Sequence, residues 1–215
     1  MSKLKLFFGG SFDPIHNGHI LSAQQLVEAT QAADITLLPN ALSPLKQQQH
    51  CSTEHRRQLL ELALADYPEL LLDWREVERG GRSYTCETLQ ELAAQYPQQH
   101  IGFVMGLDSF NQLDHWRDWQ KLCDYAHLLV IARPGYQPAL SQMLKAWLAD
   151  KQSHQVADLH QLARGKVYFC QLQPMPISST QLRKQLATHS LEPELSSQLP
   201  GAVLEYIIEH KLYGA

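Results

Sequence analysis

Leu4-Lys5-Leu6-Phe7-Phe8-Gly9-Gly10-Ser11-Phe12-Asp13-Pro14-Ile15-His16-Asn17-Gly18-His19 is the stretch on which the reading of the chain turns. Leu4 to Phe8 is a short, mostly apolar run stopped by two glycines, the pattern of a buried strand. From His19 to Ala32 the apolar residues Ile20, Ala23, Leu26 and Val27 recur at helical spacing. A strand, a glycine-rich turn and a helix therefore follow one another. Glycines let a backbone approach a phosphate closely, and a helix start offers free N–H groups and the positive end of its dipole. The stretch is neither a G-x-G-x-x-G fingerprint nor a P-loop, since no G-K-[ST] follows.

Further along, the same alternation repeats. Ile35–Leu38, Leu70–Leu72, Ile101–Met105, Leu128–Ala132 and Val167–Leu172 read as strands. Thr53–Ala65, with Thr53 as the candidate N-cap, Thr85–Tyr96, Ser179–Ala187 and Ala202–His210 read as helices. The strands are continuous apolar runs rather than alternating ones. That predicts a parallel sheet covered on both faces, a doubly wound α/β fold. Ligands of such sheets bind beyond the carboxyl ends of the strands. Three such ends carry polar turns: Gly9-Gly10-Ser11, Gly106-Leu107-Asp108 and Arg133-Pro134-Gly135. The length of 215 residues predicts a single domain over 1–215, with a candidate peripheral helical insertion at 136–165.

Composition narrows the partners. A net charge of −4 argues against general nucleic-acid binding, which needs many Lys and Arg against phosphates. Four scattered cysteines without a C-x-x-C predict reduced thiols in a cytoplasmic protein rather than a disulfide or zinc framework. The apolar run at the N-terminus is too short for a signal peptide, and no stretch is long enough to span a bilayer, so no membrane partner is expected.

His16 and His19 sit three apart at a helix start, where both imidazoles can face one anion and Gly18 leaves room between them. A metal pair has the same spacing, but no third ligand lies beside them, so phosphate contact is the favoured reading and no protein metal site is expected. In Ile177-Ser178-Ser179-Thr180-Gln181-Leu182-Arg183, hydroxyls at a helix start serve as caps and, with Arg183 one turn in, form an anion site. Trp119 reads as core, whereas Trp116 has the polar neighbours His115, Arg117 and Asp118. An exposed indole of that kind can stack on a flat ring. Pro39-Asn40-Ala41-Leu42-Ser43-Pro44-Leu45-Lys46 is a Pro-rich loop ending in Lys46. Arg82-Ser83-Tyr84-Thr85 is a loop entering a helix, with Ser83 or Thr85 as cap in the plain reading.

G-S-F-D-P-x-H-x-G-H at residues 10–19 resembles the extended signature of the nucleotidyltransferase superfamily at every fixed position. Ile177–Arg183 is similar to its I-S-S-T-x-[IL]-R motif. With Pro39–Lys46, S-Y-T-x-x-T-L at 83–89, G-x-D followed by W-x-x-W, and R-P-G at 133–135, the chain resembles the bacterial nicotinate-nucleotide adenylyltransferases from Lys5 to Arg183. Ser43 and Leu45 depart from the P-N-x-x-P-P-H-K-like loop of that family, while Lys46 keeps its place.

The resemblance implies a Rossmann-like nucleotidyltransferase fold and transfer of AMP from ATP to nicotinate mononucleotide, with Mg²⁺ accompanying ATP. It places Gly9, Gly10, Ser11, Phe12, Asp13, His16, His19, Gly106, Asp108, Ile177, Ser178, Ser179, Thr180 and Arg183 at ATP. It places Asn40, Lys46, Ser83, Tyr84, Thr85, Trp116 and Arg133 at the pyridine nucleotide, and gives His16, His19, Lys46 and Arg183 the catalytic roles. Nicotinamide mononucleotide or phosphopantetheine as acceptor, and a non-catalytic nucleotide-binding regulator, are the alternatives. A homo-oligomer is left open.

Overall fold

The computed structural model describes residues 4–44, 49–131, 138–173, 175–188 and 193–215. Its centre is a seven-stranded sheet in the order β3-β2-β1-β4-β5-β7-β6, with every pairing parallel. The strands are β1 (Leu4–Gly10), β2 (Asp34–Pro39), β3 (Leu70–Leu72), β4 (His100–Gly106), β5 (His127–Ile131), β6 (Gln152–Ser153) and β7 (Val167–Cys170). This is the doubly wound α/β architecture.

The continuous apolar runs have a direct cause. Successive strand side chains point to opposite faces, and here both faces are buried. Leu4, Leu6 and Phe8 of β1 join one core while Phe7 joins the other. In β5, Leu129 and Ile131 go to the first core and Leu128 and Val130 to the second. Helices Asn17–Thr30, Thr53–Leu64 and Gly201–Glu209 close the first core, the first of them through Ile20, Ala23 and Leu26.

The chain leaves β1 towards β2 and β3, then returns to lay β4 on the other flank of β1. The crevice beyond the carboxyl ends of β1 and β4 is thus the topological switch point, where open α/β sheets bind ligands. The segment read as a helical insertion at 136–165 carries helices Gln142–Ala149 and Ala157–Gln161 with edge strand β6 between them. It buries Leu144, Leu148 and Leu159.

Element ends differ from the sequence reading in particular ways. β1, β2 and β4 run on into Gly10, Pro39 and Gly106, because the backbone ladder outlasts the apolar residues. β7 stops at Cys170, short of Leu172. The first helix begins at Asn17, not His19. Ser52 rather than Thr53 caps the helix Thr53–Leu64, its hydroxyl accepting from the His55 amide at 3.3 Å. The short helix Arg75–Arg79 has no counterpart in the sequence reading. Ala132, which ends one expected strand, lies outside the described residues.

All four cysteines are free and buried, and burial pushes the Cys123 and Cys170 thiols up to about 12. Among the described residues no helix is long and apolar enough to cross a membrane.

Candidate active site

At the switch point lies a cleft of about 550 Å³. One wall is the loop from Gly9 to His19. His16 is the N-cap of the helix Asn17–Thr30, and its backbone N–H donates to His19 Nδ1 at 3.3 Å. In the neutral His19 ring the proton must then sit on Nε2, which makes that nitrogen a donor. The two imidazoles stack with centroids 3.7 Å apart and 25° between planes. Phe12 meets His19 edge-on at 5.0 Å, fixing the ring from behind. Gly18 leaves room for this arrangement: a Cβ there would crowd His16 Nδ1 at 3.0 Å and touch the Ile177 Cβ at 3.5 Å.

Asp13 is nearly enclosed, and its peptide bond to Pro14 is cis. Its carboxylate accepts from the Tyr213 hydroxyl at 2.8 Å and from the His50 amide at 2.8 Å. Its carbonyl accepts from Arg183 Nη1 at 2.6 Å. Asp13 therefore lines the cleft while its carboxylate serves the chain itself. Arg56, 0 % exposed, donates to the Ser11 carbonyl at 2.8 Å and the Asn40 carbonyl at 2.7 Å, tying the tips of β1 and β2 together.

The opposite wall comes from the start of the helix Ser179–Ala187. Ile177, Ser179, Thr180 and Arg183 face the cleft, and the Ser179 hydroxyl donates to the Pro14 carbonyl at 3.0 Å. Ser178, expected at the phosphates, does not line the cleft; its hydroxyl accepts from the Gln181 amide at 3.2 Å and caps the helix. Gly106 and Asp108 close the β4 end. A Cβ on Gly106 would lie 2.4 Å from Asp108 Oδ1, so only glycine lets that carboxylate fold back over the strand tip.

The remaining side holds Asn40, Ser83, Tyr84, Thr85 and Trp116. Asn40 Nδ2 donates to the Ser11 hydroxyl at 3.3 Å. The Ser83 hydroxyl accepts from the Ala41 amide at 2.9 Å, and Tyr84, not Ser83 or Thr85, is the N-cap of the helix Thr85–Gln95. The Tyr84 side chain makes no cap hydrogen bond to that helix start. Arg117 lies over the Tyr84 ring at 4.8 Å. Trp116 is half-buried beside the cleft, while Trp119 is buried and packs edge-on against Trp147 at 5.2 Å. Lys46 and Arg133 lie outside the described residues.

Apart from Ser178, Lys46 and Arg133, every residue that the resemblance places at a substrate lines this one cleft. Arg56, Glu76 and Tyr213 escaped that reading. Arg56 sits inside an ordinary amphipathic helix, Tyr213 lies 200 residues from its partner, and Glu76 lies outside every motif. Among the described residues no group of three or more His, Cys, Asp or Glu could hold a metal ion.

The fold and the paired-histidine loop at its switch point define a nucleotidyltransferase, and the cytidylyltransferase-like family model matches residues 7–185. A probable nicotinate-nucleotide adenylyltransferase of Aeromonas hydrophila is 42% identical over 205 residues, covering 95% of this chain and 94% of that protein. One of Escherichia coli is 36% identical over 215 residues, covering 99% and 100%. The nicotinic acid mononucleotide adenylyltransferase of Plasmodium falciparum, solved with NaAD, shares the fold at a TM-score of 0.76 and 17% identity, covering 98% of this chain and 97% of that one. The chain belongs to the nicotinate-nucleotide adenylyltransferase family.

Proposed function

We propose that the chain transfers AMP from ATP to nicotinate mononucleotide, releasing pyrophosphate and forming nicotinate adenine dinucleotide for NAD biosynthesis. One observation carries this reading: the stacked His16–His19 pair and the Ser83–Thr85 turn beside Trp116 face the same cleft. A phosphate oxygen of the mononucleotide attacks the α-phosphorus of ATP in line. The bond from that phosphorus to the bridging oxygen breaks, and pyrophosphate carries the electron pair away. No covalent intermediate is needed, so catalysis is positioning plus charge stabilisation.

His16, His19 and Arg183 surround the α- and β-phosphates, with Lys46 neutralising the transferring group. Gly9, Gly10, Ser11, Gly106, Asp108, Ile177, Ser179 and Thr180 form the ATP side, with Phe12 and Asp13 holding its loop. Asn40, Ser83, Tyr84, Thr85, Trp116 and Arg133 form the acceptor side. A carboxylate on the pyridine suits the start of the helix Thr85–Gln95, where Tyr84 supplies no side-chain cap and the dipole favours an anion over a neutral amide. The described residues offer few carboxylates at the phosphate end, which suits Mg²⁺ arriving as MgATP, held mainly by phosphate oxygens and water. The setting is cytoplasmic, without nucleic-acid or membrane partners.

The test is product identification by mass spectrometry, with ATP and both pyridine mononucleotides in competition. Nicotinate adenine dinucleotide as the main product supports the proposal. The nicotinamide product, a dephospho-coenzyme A-type product with phosphopantetheine, or ATP binding without turnover would each reject it.

A further inference from the structure

Arg117 is one of the unassigned positions of W-x-x-W, yet its side chain joins two walls of the cleft. It lies between two short 3₁₀ turns, Leu113–His115 and Trp119–Lys121. Trp116 just before it is in extended backbone, and Asp118 just after it is left-handed, with φ 52°. From this irregular segment Arg117 reaches across to the start of the helix Thr85–Gln95. Its guanidinium lies over the Tyr84 ring at 4.8 Å, and its Nη1 donates to Glu87 Oε1 at 2.8 Å. Tyr84, Trp116 and Arg117 line the cleft, whereas Glu87 does not.

A guanidinium can stack on a ring with its face while its edge donates to a carboxylate. Arg117 does both at once. Asp118 Oδ2 also lies 3.8 Å from Arg117 Nε, but Lys121 holds Asp118 at 2.9 Å, so Glu87 is the closer partner. The Arg117 side chain is 55 % exposed and that of Glu87 42 %. A pair so open to water contributes little to the stability of the whole chain. Its consequence is local: it holds the Tyr84 ring against the segment that carries Trp116.

We propose that Arg117 is a positioning residue for the acceptor substrate: stacked on Tyr84 and anchored by Glu87, it clips the Trp116 segment to the start of the helix Thr85–Gln95 and so sets the pyridine-nucleotide half of the cleft, not the ATP half. This rests on the reading of the acceptor half given above. A direct charge contact from Arg117 to the pyridine carboxylate makes the opposite prediction for Glu87. Were the guanidinium a ligand of the substrate, Glu87 would compete for it, and removing Glu87 would tighten acceptor binding. For a clip, removing Glu87 frees the guanidinium from its anchor, loosens the wall and weakens acceptor binding.

Steady-state kinetics of the full chain, varying ATP and nicotinate mononucleotide separately, test the assignment with Arg117→Ala, Glu87→Ala and the double variant. Both side chains meet water, so the variants keep the fold. Loss of an exposed stack together with its ion pair predicts that KM for the mononucleotide rises roughly three- to ten-fold in Arg117→Ala. Glu87→Ala, which removes the anchor alone, should raise it roughly two- to five-fold. KM for ATP should stay within about twofold in both, the spread of neutral surface changes. Because Glu87 acts through Arg117, the double variant should be no worse than Arg117→Ala by more than about twofold. An unchanged acceptor KM in either single variant, a fall in Glu87→Ala, an equal rise in both KM values, or multiplicative effects in the double variant would each overturn the assignment. A wild-type chain that prefers a different acceptor would reject the proposed function, and the same split would then be measured with that acceptor.

Discussion

The Tyr213 hydroxyl donates to Asp13 Oδ1 at 2.8 Å, joining the last turn of the described chain to the loop that carries both histidines. Burial beside that carboxylate pushes the Tyr213 phenol well above its ordinary range, so it remains a donor at all working pH values. Asp13 is thereby held from three remote places: Tyr213, the His50 amide and Arg183. His16 lies only three residues beyond it.

Tyr213→Phe keeps the ring and deletes the donor. A hydrogen bond to a charged group contributes about 1.5–3 kcal/mol, which for a chain of this size predicts a Tm lower by roughly 3–12 °C. The loosened loop should lower kcat more than it raises either KM. Calorimetry and steady-state kinetics would check both, and unchanged kcat would detach Tyr213 from the site.

Arg56→Met tests the brace between strand tips. Methionine fills much of the volume but leaves the Ser11 and Asn40 carbonyls without the guanidinium. Each abandoned buried acceptor costs about 1–3 kcal/mol, so urea unfolding should show a loss of roughly 2–6 kcal/mol. A variant within 0.5 kcal/mol of wild type, about the spread of neutral surface changes, would show that the brace contributes little.

Much of the site was legible because phosphate chemistry uses compact motifs. The 9–19 loop and the 177–183 segment can each be read locally, since backbone and side chains a few residues apart act on one anion. The parallel sheet was legible for a similar reason: strands such as β5, buried on both faces, leave an unbroken apolar run. What holds the motifs in place was not legible. Arg56 lies on the buried face of a helix whose pattern reads equally well without it, and its partners are backbone carbonyls that leave no trace in sequence. Ser178 shows the converse. Its motif position suggested a ligand contact, yet the neighbouring amide of Gln181 takes its hydroxyl as a cap.

His127 predicts a pH dependence of stability. It is fully buried, its Nε2 donating to the Leu162 carbonyl at 2.8 Å and its Nδ1 accepting from the Lys166 amide at 3.2 Å. A second proton on Nδ1 would face an N–H group. Burial, the main cause, holds the folded pKa down at about 4, against roughly 6.5 in an unfolded chain. Between those values the unfolded chain binds a proton that the folded one does not, so stability falls as pH drops from about 6.5 to about 4. The contribution lost is roughly 3 kcal/mol. His127→Asn should be less stable near neutrality, with the gap to wild type closing by pH 4. Melting curves across that range that stay parallel would contradict the assignment.

His19 can be split into its two roles. Its Nδ1 accepts from the His16 amide, and its Nε2–H is the donor assigned to the phosphates. His19→Ala removes both, and loss of one such transition-state donor typically costs about 10²–10³ in rate. In His19→Asn, the side-chain oxygen can reach the place of Nδ1 while nothing reaches that of Nε2. If the catalytic share belongs to Nε2, His19→Asn should melt closer to wild type than His19→Ala yet lose about as much kcat. His19→Gln, whose amide nitrogen extends towards Nε2, should recover part of the rate. Wild-type turnover in either His19→Ala or His19→Asn would remove His19 from the chemistry and leave it as a cap of the helix Asn17–Thr30.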